Sequence, residues 1–328
     1  MKKPVYDPEL EEMLKFFPKI RPFTIEVVKE ERVVLGAIST PEATVGKDPA
    51  IIHEERTIPG PGGTIALSIL RSRNSAGGAR PAIYYIHGGG MILGSKLFLI
   101  EHTFEWIKQL DAVLISVEYR LAPEHPNPAP IEDCYAGLKW VFANAKSLGI
   151  NTEKVIVAGH SAGGGLSAGL SLLARDCGGP KIFAQCLIYP MLDDRMITAS
   201  SKQFMNEGTW TGVNNVKAWE WYIPGHLSAK EVSIYAAPAR ATDLSGLPPT
   251  WIDVGGNEVF RDENAAYATK LAEDGNSCEL HIWPGAWHGF DTFVPTAALT
   301  KSCLDTRLAW FKRILRAPTA PLKVPAVP

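Results

Sequence analysis

A strand, a sharp turn and a helix follow one another within residues 155–174, and they constrain the fold more than any other stretch. The β-branched run Val155–Val157 is typical of a buried parallel strand. It leads into Gly159–Gly163, which matches G-x-S-x-G, and the apolar Leu166–Ala174 predicts a helix. This context is that of a nucleophile elbow, in which a strained backbone raises the Ser161 hydroxyl above the sheet. The pattern also arises by chance in a chain with 29 glycines. A glycine-rich connection from strand to helix, packed under a neighbouring element, is therefore an alternative interpretation at this point.

Predicted strands and helices alternate after residue 80, and this order indicates the fold class. The predicted strands are Ala82–Ile86, Val113–Val117, Val155–Val157, Phe183–Tyr189, Thr250–Val254 and Glu279–Trp283. The predicted helices are Leu99–Leu110, Ile131–Ala145, Leu166–Ala174, Ala265–Leu271 and Ala298–Leu315. A hairpin, His53–Ile58 with Ile65–Leu70, precedes them. The pattern predicts an α/β fold with a mostly parallel central sheet and helices on both faces.

Two segments interrupt this alternation. Residues 1–50 combine charges with apolar clusters, so a helical arm packed on the body and a disordered tail both remain open. Residues 191–235 are rich in aromatic side chains and predict an inserted helical segment. We expect Phe16, Phe17 and Phe23 of the first segment to be buried, because burying each contributes about 1.5–3 kcal/mol.

Charge, hydropathy and cysteine content exclude several classes of protein. The formal net charge of −2 on 328 residues gives no indication of a nucleic-acid partner. The sequence has no apolar run long enough for a membrane span and no secretory signal at its start. Its five cysteines are widely spaced and indicate neither a zinc site nor a disulfide framework. A cytoplasmic location is therefore expected.

Three chemically suitable side chains follow predicted strands at separate points of the chain. Ser161 is the candidate nucleophile, His288 follows the last predicted strand, and Glu258 follows the strand before it. Because an open α/β sheet places its active site at the carboxyl ends of its strands, we expect these residues to meet there. The chain order Ser, Glu, His is that of α/β hydrolases rather than that of either protease type.

Backbone N–H groups are expected to complete the site. The glycine-rich block His87–Gly90 follows a predicted strand, and its flexible backbone can direct N–H groups at a carbonyl oxygen. We predict an oxyanion hole formed by the N–H groups of Gly88, Gly89 and Ala162. The side chain of His87 itself is expected to order this loop.

Three blocks carry a resemblance to a known family. They are His87–Gly90, Tyr119–Pro126 and Gly159–Gly164, the last in the form G-H-S-A-G-G. In order and spacing they resemble the hormone-sensitive-lipase family of α/β-hydrolase carboxylesterases over roughly residues 55–315. The resemblance implies a serine esterase that acts on small-molecule carboxylic esters and needs no cofactor or metal. We expect short- to medium-chain esters as substrates.

The resemblance also implies a helical cap over the sheet. Its two parts are an N-terminal arm, residues 1–50, and an insertion, residues 191–235. The hydrolase core then comprises residues 51–190 and 236–317, and residues 318–328 form a frayed tail. Many members of the family form dimers through the edge of the sheet, so a homodimer is one alternative for this chain.

The acidic member of the triad departs from the common family pattern, which has an aspartate in D-x-x-x-D-E. The corresponding register here begins at Glu258. Asp253 lies within a predicted strand, so its side chain is expected to point to a face of the sheet. Asp262 is expected to cap the helix that follows. Glu258 is therefore predicted to orient His288.

The substrate pocket is predicted less directly. We expect Met91, His160, Tyr189 and Trp210 to line it, although the aromatic residues of the insertion fit a small cap core equally well. Many family members have aspartate at the position of His160. A lactonase or an amidase with the same triad remains an alternative, because the pocket selects the scissile group. A non-catalytic receptor of the same fold is disfavoured by the presence of His288.

Overall fold

An eight-stranded sheet organises the computed structural model, which describes residues 2–17 and 21–316. The strands are β1 (Ile51–Gly60), β2 (Gly63–Ser72), β3 (Arg80–Ile86), β4 (Val113–Val117), β5 (Ile150–His160), β6 (Ala184–Ile188), β7 (Thr250–Gly255) and β8 (Cys278–Trp283). Their order across the sheet is β1-β2-β4-β3-β5-β6-β7-β8. The pairs β1–β2 and β2–β4 are antiparallel, and the strands from β4 to β8 are parallel.

Eleven α-helices lie among the described residues. They are α1 (Pro8–Leu14), α2 (Ile25–Ile38), α3 (Phe104–Leu110), α4 (Ala129–Ala143), α5 (Ala145–Leu148), α6 (Ala162–Asp176), α7 (Ala199–Gln203), α8 (Gly212–Tyr222), α9 (Arg261–Glu273), α10 (Phe290–Phe293) and α11 (Ala298–Leu315). Within residues 2–17 and 21–316, none of them has the length and apolar character that crossing a bilayer requires.

Adjacent residues of β7 show that helices cover both faces of the sheet. The ring of Trp251 packs against Trp310 of α11, with centroids 5.9 Å apart. Ile252, the next residue, belongs to an apolar cluster with Leu172 of α6 and Leu271 of α9. Because successive strand residues point to opposite faces, α11 lies on one side of the sheet and α6 and α9 on the other. The predicted α/β fold with a mostly parallel sheet is confirmed.

Most predicted elements occur with small changes at their ends. The bounds of β4 and α11 are those predicted, and the hairpin pairs β1 with β2 across a two-residue turn. The predicted helix over residues 99–110 is instead a 3₁₀ turn, Ile100–Thr103, followed by α3. Leu99 takes a left-handed backbone conformation, with φ of 54°, and this prevents a continuous α-helix from starting there.

The N-terminal segment packs on the body of the protein as helices α1 and α2. The indole nitrogen of Trp287 donates a hydrogen bond of 3.0 Å to the carbonyl oxygen of Leu10. The Arg32 guanidinium donates to the carbonyl oxygens of Ile92 and Ala122 at 2.8 and 2.7 Å. These bonds join α1 and α2 to loops that follow β8, β3 and β4, where the sheet presents its carboxyl edge.

The three phenylalanines of this segment differ in their surroundings. Phe17 and Phe23 line a cavity that also exposes Ser161, and Phe17 packs edge-on against Trp287 with centroids 5.4 Å apart. Phe16 is 74% exposed, so the expectation that it is buried is wrong. The chain turns directly after α1, and Phe17 rather than Phe16 then faces the body.

Candidate active site

The turn between β5 and α6 places Ser161 in a strained backbone conformation. Its φ and ψ are 55° and −121°, backbone angles that residues other than glycine rarely adopt. A Cβ at Gly159 or Gly163 would collide with backbone atoms of neighbouring residues, among them the carbonyl oxygen of Ile86. These features are those of a nucleophile elbow, because the strain projects the serine hydroxyl from the sheet and only glycine fits on either side.

Three loops at the carboxyl edge of the sheet bring Ser161, Glu258 and His288 together. The His288 Nε2 atom lies 2.9 Å from Ser161 Oγ, and His288 Nδ1 lies 2.5 Å from Glu258 Oε2. Glu258 follows β7 and His288 follows β8, as their positions in the sequence predict. The rings of Tyr189 and Phe260 flank the imidazole edge-on, at 4.6 and 5.1 Å, and fix its orientation.

The carboxylate of Glu258 is held by a second hydrogen bond. Its Oε1 atom accepts the N–H of Gly255 at 3.0 Å, and the residue is only 2% exposed. Oε2 is thereby directed at His288 Nδ1, which carries the proton when the imidazole is neutral. Nε2 is then free to accept the proton of the Ser161 hydroxyl.

The two competing aspartates have other partners. Asp253 points to the face of the sheet that α11 covers, where it pairs with the buried Arg307 at 2.6 Å. Asp262 lies inside α9, whose N-cap is Phe260, so the prediction that it caps this helix is wrong. Its carboxylate instead accepts the N–H of Ser200, in the first turn of α7 of the insertion, at 2.7 Å.

The glycine-rich loop after β3 lies beside the elbow, and the three predicted oxyanion donors differ in their surroundings. The N–H of Gly88 donates to His160 Nε2 at 3.3 Å, so it is engaged within the protein. Gly89 lines the cavity with a φ of +107° that suits glycine alone. Ala162 is the first residue of α6, so its N–H has no acceptor within the helix. Of the three predicted donors, only Gly88 has an acceptor for its N–H among these contacts, and the oxyanion hole stays a prediction.

The side chain of His87 holds the glycine-rich loop in place through contacts with Tyr119 and Gly88. Its ring stacks on Tyr119 with centroids 4.2 Å apart, and Nδ1 donates to the carbonyl oxygen of Gly88 at 2.8 Å. Tyr119 in turn donates from its hydroxyl to the carbonyl oxygen of His87 at 2.9 Å. Burial lowers the pKa of His87 to about 4, so the ring is neutral at physiological pH.

A mostly apolar cavity of about 380 Å³ opens above Ser161 and His288. Of the predicted pocket residues, His160, Tyr189 and Trp210 line it. Met91 does not belong to the described lining: it is fully buried, its carbonyl oxygen accepts the N–H of Ala122, and the prediction for it is corrected.

Several lining residues escape the sequence analysis. They are Arg21, Val27, Glu31, Leu93, Phe98, Leu99, Thr209, Gly289 and Phe293. The short apolar run directly after His87–Gly90 is the signal that could have indicated Leu93, and Gly289 adjoins the predicted His288. The other residues carry no such signal in the sequence, and only the folded chain brings them to the cavity.

The part of the chain that carries the site also matches a family model. Residues 83–292 match the model described as alpha/beta hydrolase fold. This chain belongs to that family. Carboxylesterase NlhH of Mycobacterium tuberculosis is 35% identical over 321 residues, which cover 96% of this chain and 98% of that protein. The arylesterase of Saccharolobus solfataricus is 31% identical over 289 residues, 82% of this chain and 87% of that protein.

Solved structures of esterases are also similar to this chain over nearly its whole length. A bacterial heroin esterase is similar with a TM-score of 0.87 and 35% identity, covering 95% of this chain and 99% of that chain. The esterase LipW from Mycobacterium marinum is similar with a TM-score of 0.85 and 32% identity, covering 96% of this chain and 99% of that chain. The family resemblance that the three sequence blocks indicate is confirmed.

Proposed function

We propose that this protein is a serine carboxylesterase that hydrolyses short- to medium-chain esters through an acyl-serine intermediate. The observation that carries the proposal is the chain from Ser161 Oγ to His288 Nε2 at 2.9 Å and from His288 Nδ1 to Glu258 Oε2 at 2.5 Å. Its relatives are named carboxylesterases and arylesterases, which supports carboxylic ester hydrolysis as the class of reaction.

The proposed reaction begins at Ser161. Its Oγ attacks the ester carbonyl carbon while His288 Nε2 takes the hydroxyl proton, and Glu258 stabilises the resulting imidazolium. The N–H groups of Gly89 and Ala162 stabilise the negative oxygen of the tetrahedral intermediate. His288 then gives the proton to the departing alcohol, which leaves an acyl group on Ser161. Water attacks this acyl-enzyme with the same imidazole as base, and the acid is released.

The size and lining of the cavity support a small apolar ester as substrate. Its volume of about 380 Å³ lies near the lower end of the range for ligand pockets. Phe17, Phe23, Phe98, Trp210 and Phe293 supply apolar walls on several sides. A site of this size favours a short acyl chain over one that must extend beyond the cavity.

A chain-length series of p-nitrophenyl esters tests this preference. We expect kcat/KM to be highest for acyl chains of about two to eight carbons and to fall by about tenfold or more for palmitoyl, because a long chain cannot be enclosed. All esters are compared at one detergent concentration below micelle formation. A value that rises steadily to palmitate, or activation at an oil–water interface, would contradict the proposed substrate class.

The N-terminal arm is predicted to belong to this site. Deleting residues 1–40 should raise KM, alter the chain-length preference and lower the melting temperature, because Phe17, Phe23 and Val27 leave the cavity wall. Unchanged kinetics together with an unchanged melting temperature would show that the arm is dispensable.

A matched pair of point variants separates the cavity contact from general stability. Phe23→Ala removes a ring that lines the cavity 5.6 Å from that of Trp210. We expect KM to rise by about two- to tenfold, because the ester loses apolar contact with this ring. Phe16→Ala is the control, since Phe16 is 74% exposed and its loss should leave KM unchanged.

A further inference from the structure

The buried side chains of Tyr85 and His160 and the partly buried side chain of His102 form a chain of hydrogen bonds that ends at the glycine-rich loop. His160 Nδ1 lies 2.5 Å from the Tyr85 hydroxyl oxygen, which lies 3.1 Å from His102 Nε2. At one end His160 Nε2 accepts the N–H of Gly88 at 3.3 Å. At the other end His102 Nδ1 contacts the carbonyl oxygen of Leu99 at 2.7 Å.

The backbone groups at the two ends fix the direction of every bond between them. Gly88 N–H can only donate, so His160 Nε2 accepts and its Nδ1–H donates to Tyr85. The carbonyl oxygen of Leu99 can only accept, so His102 Nδ1–H donates to it and His102 Nε2 accepts the Tyr85 hydroxyl proton. One arrangement of protons satisfies the whole chain, and both imidazoles are neutral in it.

The electrostatic surroundings agree with this arrangement. Burial lowers the pKa of His102 to about 4. Burial, reinforced by the neighbouring His102, His87 and His288, lowers the pKa of His160 well below its usual value. Both shifts favour the neutral form of the two rings.

We propose, on the basis of the proposed function, that His160 is a positioning residue that holds the glycine-rich loop in its productive conformation, with Tyr85 and His102 fixing its tautomer. The Gly88 backbone lies directly on the His160 ring, because a Cβ on Gly88 would be 2.7 Å from both Cδ2 and Nε2. Gly89, the next residue, carries the predicted oxyanion donor.

The reversed tautomer of His160 would displace this loop. Nε2–H would then face Gly88 N–H, and two donors at that distance repel each other. The N–H of Gly89 would move with its neighbour away from the position that the oxyanion takes in the transition state. Since oxyanion donors act through preorganised geometry, a shift of this kind lowers kcat more than it changes substrate binding.

Two isosteric substitutions of His160 test the role of Nε2 separately from that of the ring. In His160→Gln the amide oxygen reaches the position of Nε2 and can still accept the Gly88 N–H. In His160→Asn the side chain ends near the position of Nδ1 and leaves Gly88 without its acceptor. We expect kcat to fall about 100-fold in the asparagine variant and less than about tenfold in the glutamine variant, with KM within about twofold.

Tyr85→Phe tests the middle of the chain, because it leaves His160 in place and removes the acceptor of its Nδ1–H, one of the two groups that fix its tautomer. We expect kcat to fall by about tenfold with KM little changed.

His125→Asn is the matched control for His160→Asn, since His125 is exposed and follows the neighbouring strand β4. It should leave both constants unchanged.

Inhibitor binding distinguishes loop positioning from loss of stability. A trifluoromethyl ketone, which forms a tetrahedral adduct with the serine, should lose affinity in parallel with kcat/KM across the three variants. The affinity for the product acid should stay constant. Equal turnover in wild type, His160→Asn and His160→Gln would overturn the proposal, as would equal losses in the two His160 variants that follow their melting temperatures.

Two further measurements test the positioning role of His160 independently of these variants. In the wild-type protein, nitrogen chemical shifts of the imidazoles should show His160 protonated at Nδ1 and not at Nε2, and the opposite would overturn the proposal even if no variant folds. Ser161→Ala separates the two proposals. If it retains turnover, the proposed function fails; if it loses turnover while His160→Asn keeps it, only the positioning role fails.

Discussion

Replacing Ser161 with alanine should lower kcat by on the order of 10⁴- to 10⁶-fold and leave the protein folded. The variant removes the oxygen that attacks the ester and forms the acyl intermediate. The remaining oxyanion donors and the cavity then supply only the acceleration that binding and polarisation of the carbonyl provide. Turnover of p-nitrophenyl butyrate by the purified variant measures the loss.

The fold should survive because the backbone bonds of the elbow do not involve the hydroxyl. Ser161 N–H donates to the carbonyl oxygen of Ile188 at 2.8 Å, and the Ser161 carbonyl oxygen accepts from Met191 and Gly165, both at 3.0 Å. Alanine can make all three bonds, and its Cβ meets the same strain at φ of 55°. An unchanged melting temperature is therefore expected.

Covalent labelling provides an independent measurement. A sulfonyl fluoride should add one mass increment to the wild-type chain and none to Ser161→Ala, because only an activated serine reacts with it. The assignment of the nucleophile would be wrong if the folded variant kept a tenth of the wild-type turnover, or if the label appeared on another residue.

The fold, and the contact between Ser161, His288 and Glu258, could be predicted from local sequence patterns and from the order of the strands. The elbow needs glycines on both sides of Ser161 within five residues, and the β-branched strand before it is also visible in the sequence. Chain order then placed Glu258 and His288 after successive strands, and parallel strands bring such loops to one edge. None of these inferences required knowledge of a distant contact.

Asp262 and Gly88 differ from the sequence-based expectations because their partners are remote in the chain. Asp262 accepts from Ser200, 62 residues away, and no helix-start pattern reveals that partner. The N–H of Gly88 donates to His160, 72 residues away, and glycine content alone gives no sign of this bond. Met91 is adjacent to the oxyanion loop, yet its side chain turns into the core.

Glu258→Gln should lower kcat by up to about 10⁴-fold while KM and the fold change little. Glutamine has the shape of glutamate, but it carries one acceptor oxygen and one donor nitrogen. In the wild type, Oε1 accepts the Gly255 N–H at 3.0 Å and Oε2 faces His288 Nδ1 at 2.5 Å. The Gly255 N–H will hold the amide oxygen of the variant, so the amide nitrogen is directed at the imidazole.

This orientation imposes the wrong tautomer on His288. Facing an N–H donor, Nδ1 must accept, and the proton of the neutral ring moves to Nε2. Nε2 then cannot take the proton of Ser161, and the imidazolium that forms during the reaction loses the carboxylate that stabilises it. The loss should appear in kcat rather than KM, because the cavity walls that bind the ester are unchanged.

Asp262→Asn is the matched control for this variant, since it is the same chemical change four residues later. Asparagine keeps an oxygen for the Ser200 N–H, so we expect a stability cost of about 1 kcal/mol or less and wild-type kcat. Asp253→Asn is less suitable, because it removes a charge that pairs with the fully buried Arg307 and threatens the fold itself. If Asp262→Asn abolished turnover in a folded protein and Glu258→Gln did not, Glu258 could not be the residue that orients His288.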